Sequence, residues 1–404
     1  MSRPRSFRLS PPVLALVLTA LSFCVVGGRF LSLPYKPPFG GLSGTEFTDH
    51  SSHMNAARLF TLCGTCVWTL PVSERFPSAT TEERRQVSEE LRPYIAEGEI
   101  FSVPGWTLEK PLMLNWSHLP RPYPPGVLLL VAPVSLAYHF TSLSFFGAMH
   151  LLILGFLLSA HVGFYFVLRG ALESPGRTGA LGLLGGVLLY SETVRWSLEG
   201  IYDVAMLAPL VLCGRFLHQR RGLAALVAYC AAAFLHYRAF FFAPLPLYAA
   251  YLILRERQWR EWRARDWCAL AVAVVLGGAS LYTFWLVSPS LPLFPRSNPL
   301  ALHARNTAFR LMLLLGTLAV AAFVYARAWL DVALLGWASV MLTRILQIQH
   351  WHALALLMWL ALPVWAPREE RVALVRDARL LFIWGMSVAL YGNGLLTAWW
   401  VGSR

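Results

Sequence analysis

The 404-residue chain is 57% hydrophobic and only 14% charged, with a mean hydropathy of +0.54. Soluble proteins carry about a quarter charged residues, so this composition excludes a soluble globular enzyme and predicts an all-α polytopic membrane protein. The formal net charge of +13 arises mainly from arginines in short loops between apolar runs. Arginines in short loops are typical of the cytoplasmic side of membrane proteins, so the net charge does not indicate a nucleic-acid partner.

The first apolar stretch covers residues 10–28 and follows Arg3, Arg5 and Arg8. Arg29 comes next, where a signal peptide would have small residues for cleavage. The stretch is also long enough to span a membrane. We therefore expect residues 1–33 to comprise a cytoplasmic N-terminal tail and an uncleaved first transmembrane helix.

Residues 34–123 form the one long polar region, with eight Lys/Arg and ten Asp/Glu. Its length and slight acidity predict an extracytoplasmic loop. Within residues 45–70, apolar side chains recur at helical spacing and predict a helix on the membrane surface, with Asp49 at its N-terminal end. A capping-box pattern at residues 80–83 predicts a second amphipathic helix that ends at Gly98.

Two patterns in this loop each have two interpretations. Cys63 and Cys66 have the spacing of redox motifs, but they lie on the helical stripe without a thioredoxin-like βαβ pattern, which favours a structural role. His50 and His53 are candidate ligands for a divalent metal, the only cofactor that the sequence indicates. Histidines three residues apart on a surface helix are more often solvated.

Residues 124–404 are predicted to form the transmembrane bundle. Apolar runs lie near 124–142, 144–168, 178–191, 200–214, 222–235, 239–254, 267–287, 308–326, 330–346, 351–366 and 380–400. If the Pro-led run 124–142 is re-entrant or interfacial, the arginine-rich loops become cytoplasmic, as the positive-inside rule requires. We therefore predict about eleven spanning helices, with full crossing by 124–142 as the alternative.

This topology places every unusual polar cluster on the extracytoplasmic face. Ionisable groups are costly there and usually face a cavity or one another, so the clusters predict a site. For the group at residues 192–203, a buried ion-pair network is an equal alternative, and Asp203 could also simply cap the helix that it begins. The clusters are Glu46, Asp49, His50 and His53; Tyr123; Glu192, Arg195, Glu199 and Asp203; His236, Tyr237 and Arg238; His303 and Arg305; Gln347, Gln349, His350 and His352.

Five segments carry a family resemblance: residues 48–58, 123–126, 195–203, 236–244 and 344–352. Their order resembles that of GT-C glycosyltransferases, especially the protein mannosyltransferase and aminoarabinose transferase branch. In that branch an acidic pair opens a surface helix, and a Pro-Pro segment follows later. Here Asp49 matches the first acid, His50 replaces the second, and Pro124-Pro125 matches the Pro-Pro segment.

The resemblance implies transfer of a sugar from a polyprenyl-phosphate donor to a hydroxyl of a lipid, glycan or protein, with inversion, at the extracytoplasmic face. Asp49 is the expected general base. The expected ligands of the donor phosphate are Arg238, His236, Arg305 and His352. The expected substrate-binding residues are His50, Tyr123, Glu199 and Asp203.

A multi-pass transporter or lipid flippase without glycosyl transfer is the alternative function. Such proteins usually contain inverted repeats and helices broken near the bilayer midplane, and the sequence contains no such repeat. The expected partners are the polyprenyl-phosphate sugar and membrane lipids. The composition, rich in Arg, Ala and Leu, suggests a bacterial inner membrane, with the active site facing the periplasm.

Overall fold

The computed structural model describes a helical bundle. The described residues are 10–32, 53, 56, 57, 60, 61, 64, 66–69, 124–143, 145–173, 190, 193, 194, 197, 202–287, 307–342, 373–379, 381 and 382. Every regular element in these ranges is helical. The longer helices are α1 (Pro11–Ser32), α2 (Pro125–Phe140), α3 (Phe145–Glu173), α4 (Leu207–His218), α5 (Gly222–Leu235), α6 (Pro244–Arg255), α7 (Ala264–Val287), α8 (Thr307–Ala326) and α9 (Trp329–Leu342).

Three of the described helices are long and apolar enough to cross a membrane: the segments Pro11–Leu31, His150–Glu173 and Ala264–Leu286. Many of their large apolar side chains are exposed, such as Val275 at 67% and Trp285 at 66% in α7. Contiguous exposed apolar surface of this kind marks a membrane or protein interface. The predicted all-helical class is therefore confirmed for the described residues, which include three helices whose length and composition suit membrane crossing.

Helix α5 lies at the centre of the described bundle and packs against α2, α4, α6 and α7. Six of its fourteen residues are alanines, and Ala225 and Ala232 are fully buried. Small side chains allow neighbouring helices to approach closely. The approach of α7 is a direct example, because a Cβ atom added at Gly277 would lie 3.2 Å from the Cys230 sulfur.

Helix α2 has 16 residues and is therefore about 24 Å long. That is shorter than a typical hydrocarbon core of about 30 Å. Its first turn is fixed against the last turn of α5, because a Cβ atom at Gly126 would lie 2.5 Å from the Phe234 carbonyl oxygen. Only glycine fits at this contact, which places Pro124 and Pro125 close to the C-terminal end of α5.

The apolar stripe predicted in the first loop is present in the described residues, but its surroundings differ from the prediction. Of the predicted stripe, Ala57, Val67 and Trp68 are buried and Phe60 is partly buried. His53 and Ala56, which the stripe did not include, are buried at helical spacing beside them. They pack against the protein core, so the expectations of a membrane-surface helix and of a solvated His53 are wrong for this face. The predicted continuous helix is also interrupted at Gly64, which has a φ of +61°.

A buried ion pair joins α9 to the helical residues 373–379. Arg379 donates from Nε and Nη2 to Asp331 Oδ1, at 2.6 and 2.5 Å. The Asp331 side chain is fully buried, and the Arg379 side chain is 4% exposed. The sequence pattern did not predict this ion pair, because 48 residues separate Asp331 from Arg379.

Replacing Arg379 with Leu should lower the stability of the protein by about 3–5 kcal/mol, because the Asp331 carboxylate would stay buried without its counter-charge. Thermal unfolding of the purified protein in detergent measures the loss. Arg376→Leu is the matched control, since Arg376 is less buried and forms no ion pair among the described residues. The double replacement Asp331→Leu/Arg379→Leu should recover most of the stability. Equal losses for Arg379→Leu and Arg376→Leu would contradict this account.

Candidate functional site

Two short 3-10 turns form the backbone of the candidate site. Tyr202–Met206 leads into α4, and Tyr237–Phe242 connects α5 to α6. His236 ends α5 with an extended backbone, at φ −156° and ψ 129°, and Pro244 begins α6. Proline is favoured at the first helical position, so α6 starts at Pro244, while the extended backbone of His236 ends α5.

The two turns bring Asp203, His236 and Arg238 together. Arg238 Nη1 donates to Asp203 Oδ1 at 2.5 Å, and His236 Nε2 lies 3.4 Å from the same oxygen. The backbone N–H of Arg238 donates to His236 Nδ1 at 2.9 Å. Because Nδ1 is the acceptor, a neutral His236 carries its proton on Nε2, which faces the carboxylate.

The three side chains form a nearly buried cluster that stays accessible mainly at the guanidinium. Asp203 is 4% exposed, His236 is 9% exposed and Arg238 is 17% exposed. A carboxylate paired in this way neutralises part of the arginine charge and fixes the direction of the guanidinium group. The cluster can therefore present an oriented cation to an anionic ligand.

An aromatic wall extends the cluster toward the first loop. The Tyr202 ring lies 4.7 Å from the His236 ring, with an interplanar angle of 31°. On another side, Tyr202 meets His53 edge-on, with ring centroids 4.8 Å apart. His53 also contacts Phe156 of α3 at 6.0 Å. The first loop thus supplies a side chain to the same region as Asp203.

Neighbouring helices hold the Tyr237–Phe242 turn in place through hydrogen bonds to its backbone and side chains. In a 3-10 turn some carbonyl groups lack helical partners, and buried carbonyls need other donors. The contacts are Tyr229 hydroxyl to Ala239 carbonyl at 3.0 Å, Tyr237 hydroxyl to Thr283 Oγ1 at 2.7 Å, and Trp337 Nε1 to Phe240 carbonyl at 3.2 Å. The position of Arg238 is therefore fixed from α5, α7 and α9.

The described residues bring together four side chains from clusters that are distant in sequence: His53, Asp203, His236 and Arg238. Pro124 is also described and buried, next to predicted Tyr123. The remaining predicted site residues lie outside the described residues, and their roles stay predictions: Asp49, His50, Tyr123, Glu199, Arg305 and His352.

The capping interpretation of Asp203 is wrong for α4. Met206 occupies the N-cap of this helix and makes no side-chain capping bond. Asp203 lies in the preceding turn, and its carboxylate accepts from Arg238. Asp203 does form a buried ion pair, and its described partner Arg238 comes from the α5–α6 turn. The predicted network with Glu192, Arg195 and Glu199 stays a prediction, because these three residues lie outside the described part of the chain.

The metal prediction at His50 and His53 stays a prediction, because His50 is not among the described residues. His53 itself is 2% exposed and lies between aromatic rings. Within the described part of the chain, no group of three or more His, Cys, Asp or Glu residues could hold a metal ion.

The sequence interpretation missed the residues that support the cluster. Tyr202, Thr283 and Trp337 were not expected to be site residues. Thr283 had a detectable signal, since a hydroxyl group inside an apolar spanning run usually finds a partner. Its partner, Tyr237, is 46 residues away and follows only from the packing of α5 against α7.

Comparison with known proteins does not add to this picture. No protein-family model matches the chain, and neither a curated protein nor a solved structure is significantly similar to it. The functional argument therefore rests on the chain's own sequence and geometry.

Thr283→Val should destabilise the protein by about 1–3 kcal/mol, because the buried Tyr237 hydroxyl loses the oxygen to which it donates. Ser280→Ala is the matched control. Ser280 is also buried in α7, but its hydroxyl donates only within the helix, to the Leu276 carbonyl. Thermal unfolding midpoints compare the two variants. An effect of Ser280→Ala as large as that of Thr283→Val would show that the Tyr237 contact adds nothing.

Proposed function

We propose that this chain is a membrane glycosyltransferase that moves a sugar from a polyprenyl-phosphate donor to a hydroxyl acceptor at the extracytoplasmic face. The observation that carries the proposal is the nearly buried cluster of Asp203, His236 and Arg238. It offers an oriented guanidinium next to an imidazole, which suits the phosphate of a lipid-linked donor.

The proposed side of the membrane follows from the length of α3. Phe156, at the level of the cluster, precedes Glu173 by 17 residues, or about 26 Å of helix. Glu173 lies at the arginine-bearing end, where it pairs with Arg169 and Arg215. If that end is cytoplasmic, as positive charge favours, the cluster lies nearly one hydrocarbon thickness away. It would then face the periplasm of a bacterial inner membrane.

The proposed architecture keeps eleven spanning helices in a GT-C-like arrangement. Helix α2 would not cross in this arrangement, because it is short and its first turn lies against the C-terminal turn of α5. That contact puts the start of α2 at the level of the cluster. Such an arrangement would place the Pro-Pro segment and Tyr123 beside the donor site.

In the proposed reaction, Arg238 and His236 bind the donor phosphate, with Arg305 and His352 as further ligands. Asp203 is then a positioning residue, since its carboxylate holds the Arg238 guanidinium in place. This changes the substrate-binding role predicted for Asp203. His50, Tyr123 and Glu199 keep their proposed contacts with the sugar or the acceptor.

Asp49 is the proposed general base. It precedes His53 by four residues, a length of chain that spans at most about 14 Å, so the contact of His53 with Tyr202 supports a role for Asp49 at the cluster. The carboxylate takes the acceptor's hydroxyl proton while the oxygen bonds to the anomeric carbon. The bond from that carbon to the phosphate oxygen breaks, and its electron pair stays on the phosphate, near the cationic groups.

Asp49→Asn should reduce transfer by at least about 100-fold, because the amide cannot accept the proton.

Arg238→Lys should weaken donor binding about ten-fold, because lysine keeps the charge but loses the bidentate fork of the guanidinium group. Purified protein in liposomes, supplied with undecaprenyl-phosphate mannose or aminoarabinose and a cell-envelope acceptor extract, measures both. Arg376→Gln, remote from the cluster in sequence, is the control.

Unchanged transfer by Asp49→Asn would remove Asp49 as base, and unchanged donor affinity in Arg238→Lys would remove the phosphate role. Movement of the intact donor across the liposome membrane without formation of a new glycosidic bond would contradict the enzyme proposal and favour a flippase.

A further inference from the structure

A second polar surface lies at the end of the bundle opposite the cluster. It is the connector from α6 to α7, residues 255–267, which contains five arginines, three tryptophans and three carboxylates. We refer to it as the arginine–tryptophan connector. Its middle forms a short 3-10 turn, Gln258–Glu261. None of its residues takes part in the proposed glycosyl transfer.

The connector has a defined shape because it is attached to the α4–α5 turn. Gln258 Nε2 donates to the Arg220 carbonyl at 2.7 Å, and the backbone N–H of Gly222 donates to Gln258 Oε1 at 3.2 Å. Arg220 also forms an ion pair with Glu256. Arg257 adopts a left-handed backbone, with a φ of 50°, where the chain turns sharply after α6.

The ion pair at Glu256 is maintained near neutral pH. Burial alone would raise the pKa of the Glu256 carboxyl, but hydrogen bonds from Gln258 and Arg220, together with the charges of Arg220 and Arg255, lower the pKa below its ordinary value. A lowered pKa means that the contact is fully present above the ordinary range of glutamate and is lost only as the pH falls through the lowered value. The connector therefore keeps its attachment under physiological conditions.

The remaining charges of the connector are unbalanced. Glu256 is engaged by Arg220, and Asp266 accepts from the Arg263 backbone and lies 3.9 Å from Arg265. Among the described residues, no carboxylate forms an ion pair with the guanidinium groups of Arg257, Arg260 or Arg263, and all three residues are exposed. Three exposed guanidinium groups, with the exposed Glu261 carboxylate beside them, therefore lie on a connector of defined shape.

The tryptophans place this surface at a membrane boundary. Trp259 is 45% exposed and Trp267 is 52% exposed, and the Arg260 guanidinium lies over the Trp259 ring at 5.5 Å. The connector continues directly into Ala264–Leu286, one of the helices long and apolar enough to cross a membrane. Tryptophan is enriched where such helices leave the hydrocarbon, at the depth of the headgroups.

We propose that the arginine–tryptophan connector binds the phosphate groups of anionic phospholipids in the adjacent leaflet. Exposed guanidinium groups at headgroup depth complement lipid phosphates in charge and geometry. Tryptophan side chains beside them fix that depth. This surface is separate from the proposed donor site and does not depend on the reaction catalysed there.

The test compares lipid binding by the full-length protein in detergent, measured by native mass spectrometry with phosphatidylglycerol or phosphatidylcholine. The wild type should favour phosphatidylglycerol by about ten-fold or more. Arg257→Gln/Arg260→Gln/Arg263→Gln should bring the two lipids to nearly equal affinity with an unchanged unfolding midpoint, since these side chains are exposed.

The matched control, Arg29→Gln/Arg327→Gln/Arg376→Gln, makes the same change in net charge elsewhere and should keep the preference. The variant Arg257→Lys/Arg260→Lys/Arg263→Lys should keep part of the preference for phosphatidylglycerol, because the charges remain. Equal binding of both lipids by the wild type would overturn the proposal, as would full preference in the Gln triple variant. Displacement of phosphatidylglycerol by millimolar glycerol phosphate would also overturn it, because a soluble phosphate would then be the ligand.

Discussion

The buried carboxylate of Asp203 is the constraint on which the described site depends. A charge with 4% exposure requires a counter-charge and hydrogen bonds, because leaving it unpaired costs several kcal/mol. Its partner, Arg238, belongs to the turn between the next two helices. The pair therefore joins the turn before α4 to the α5–α6 turn. As a result the Tyr202 ring packs against the His236 ring, and the His53 ring packs against Tyr202.

This polar group lies at helix ends, where backbone N–H and C=O groups lack helical partners. Such groups need other hydrogen-bond partners when they are buried. The Tyr237–Phe242 turn meets this requirement through the hydroxyl of Tyr229 and the indole of Trp337. The close approach of α2 through Gly126 is made to Phe234, in the last turn of α5 that precedes this turn. Rigidity at the turn is thus a consequence of satisfying its backbone, and it also fixes the direction of Arg238.

The apolar pattern predicted the helices well where it was uninterrupted. The run at 222–235 coincides with α5, and those at 267–287 and 308–326 lie within one to three residues of α7 and α8. The run at 239–254 was only partly correct, because Pro244 begins a helix and the preceding residues form a turn. Periodicity also identified the face of Ala57 and Phe60, but not whether lipid or protein covers it, and it did not predict that His53 is buried. The local sequence pattern did not predict that Asp203 pairs with Arg238, because 35 residues separate them and their contact depends on helix packing.

The central claim is that Asp203 and Arg238 act as one unit, and a double-mutant cycle tests it most directly. Asp203→Asn, Arg238→Gln and the double variant would be compared by unfolding of the purified protein in detergent. The account predicts that the loss in the double variant falls short of the sum of the single losses by about 1–3 kcal/mol. Additive losses within about 0.5 kcal/mol would contradict it.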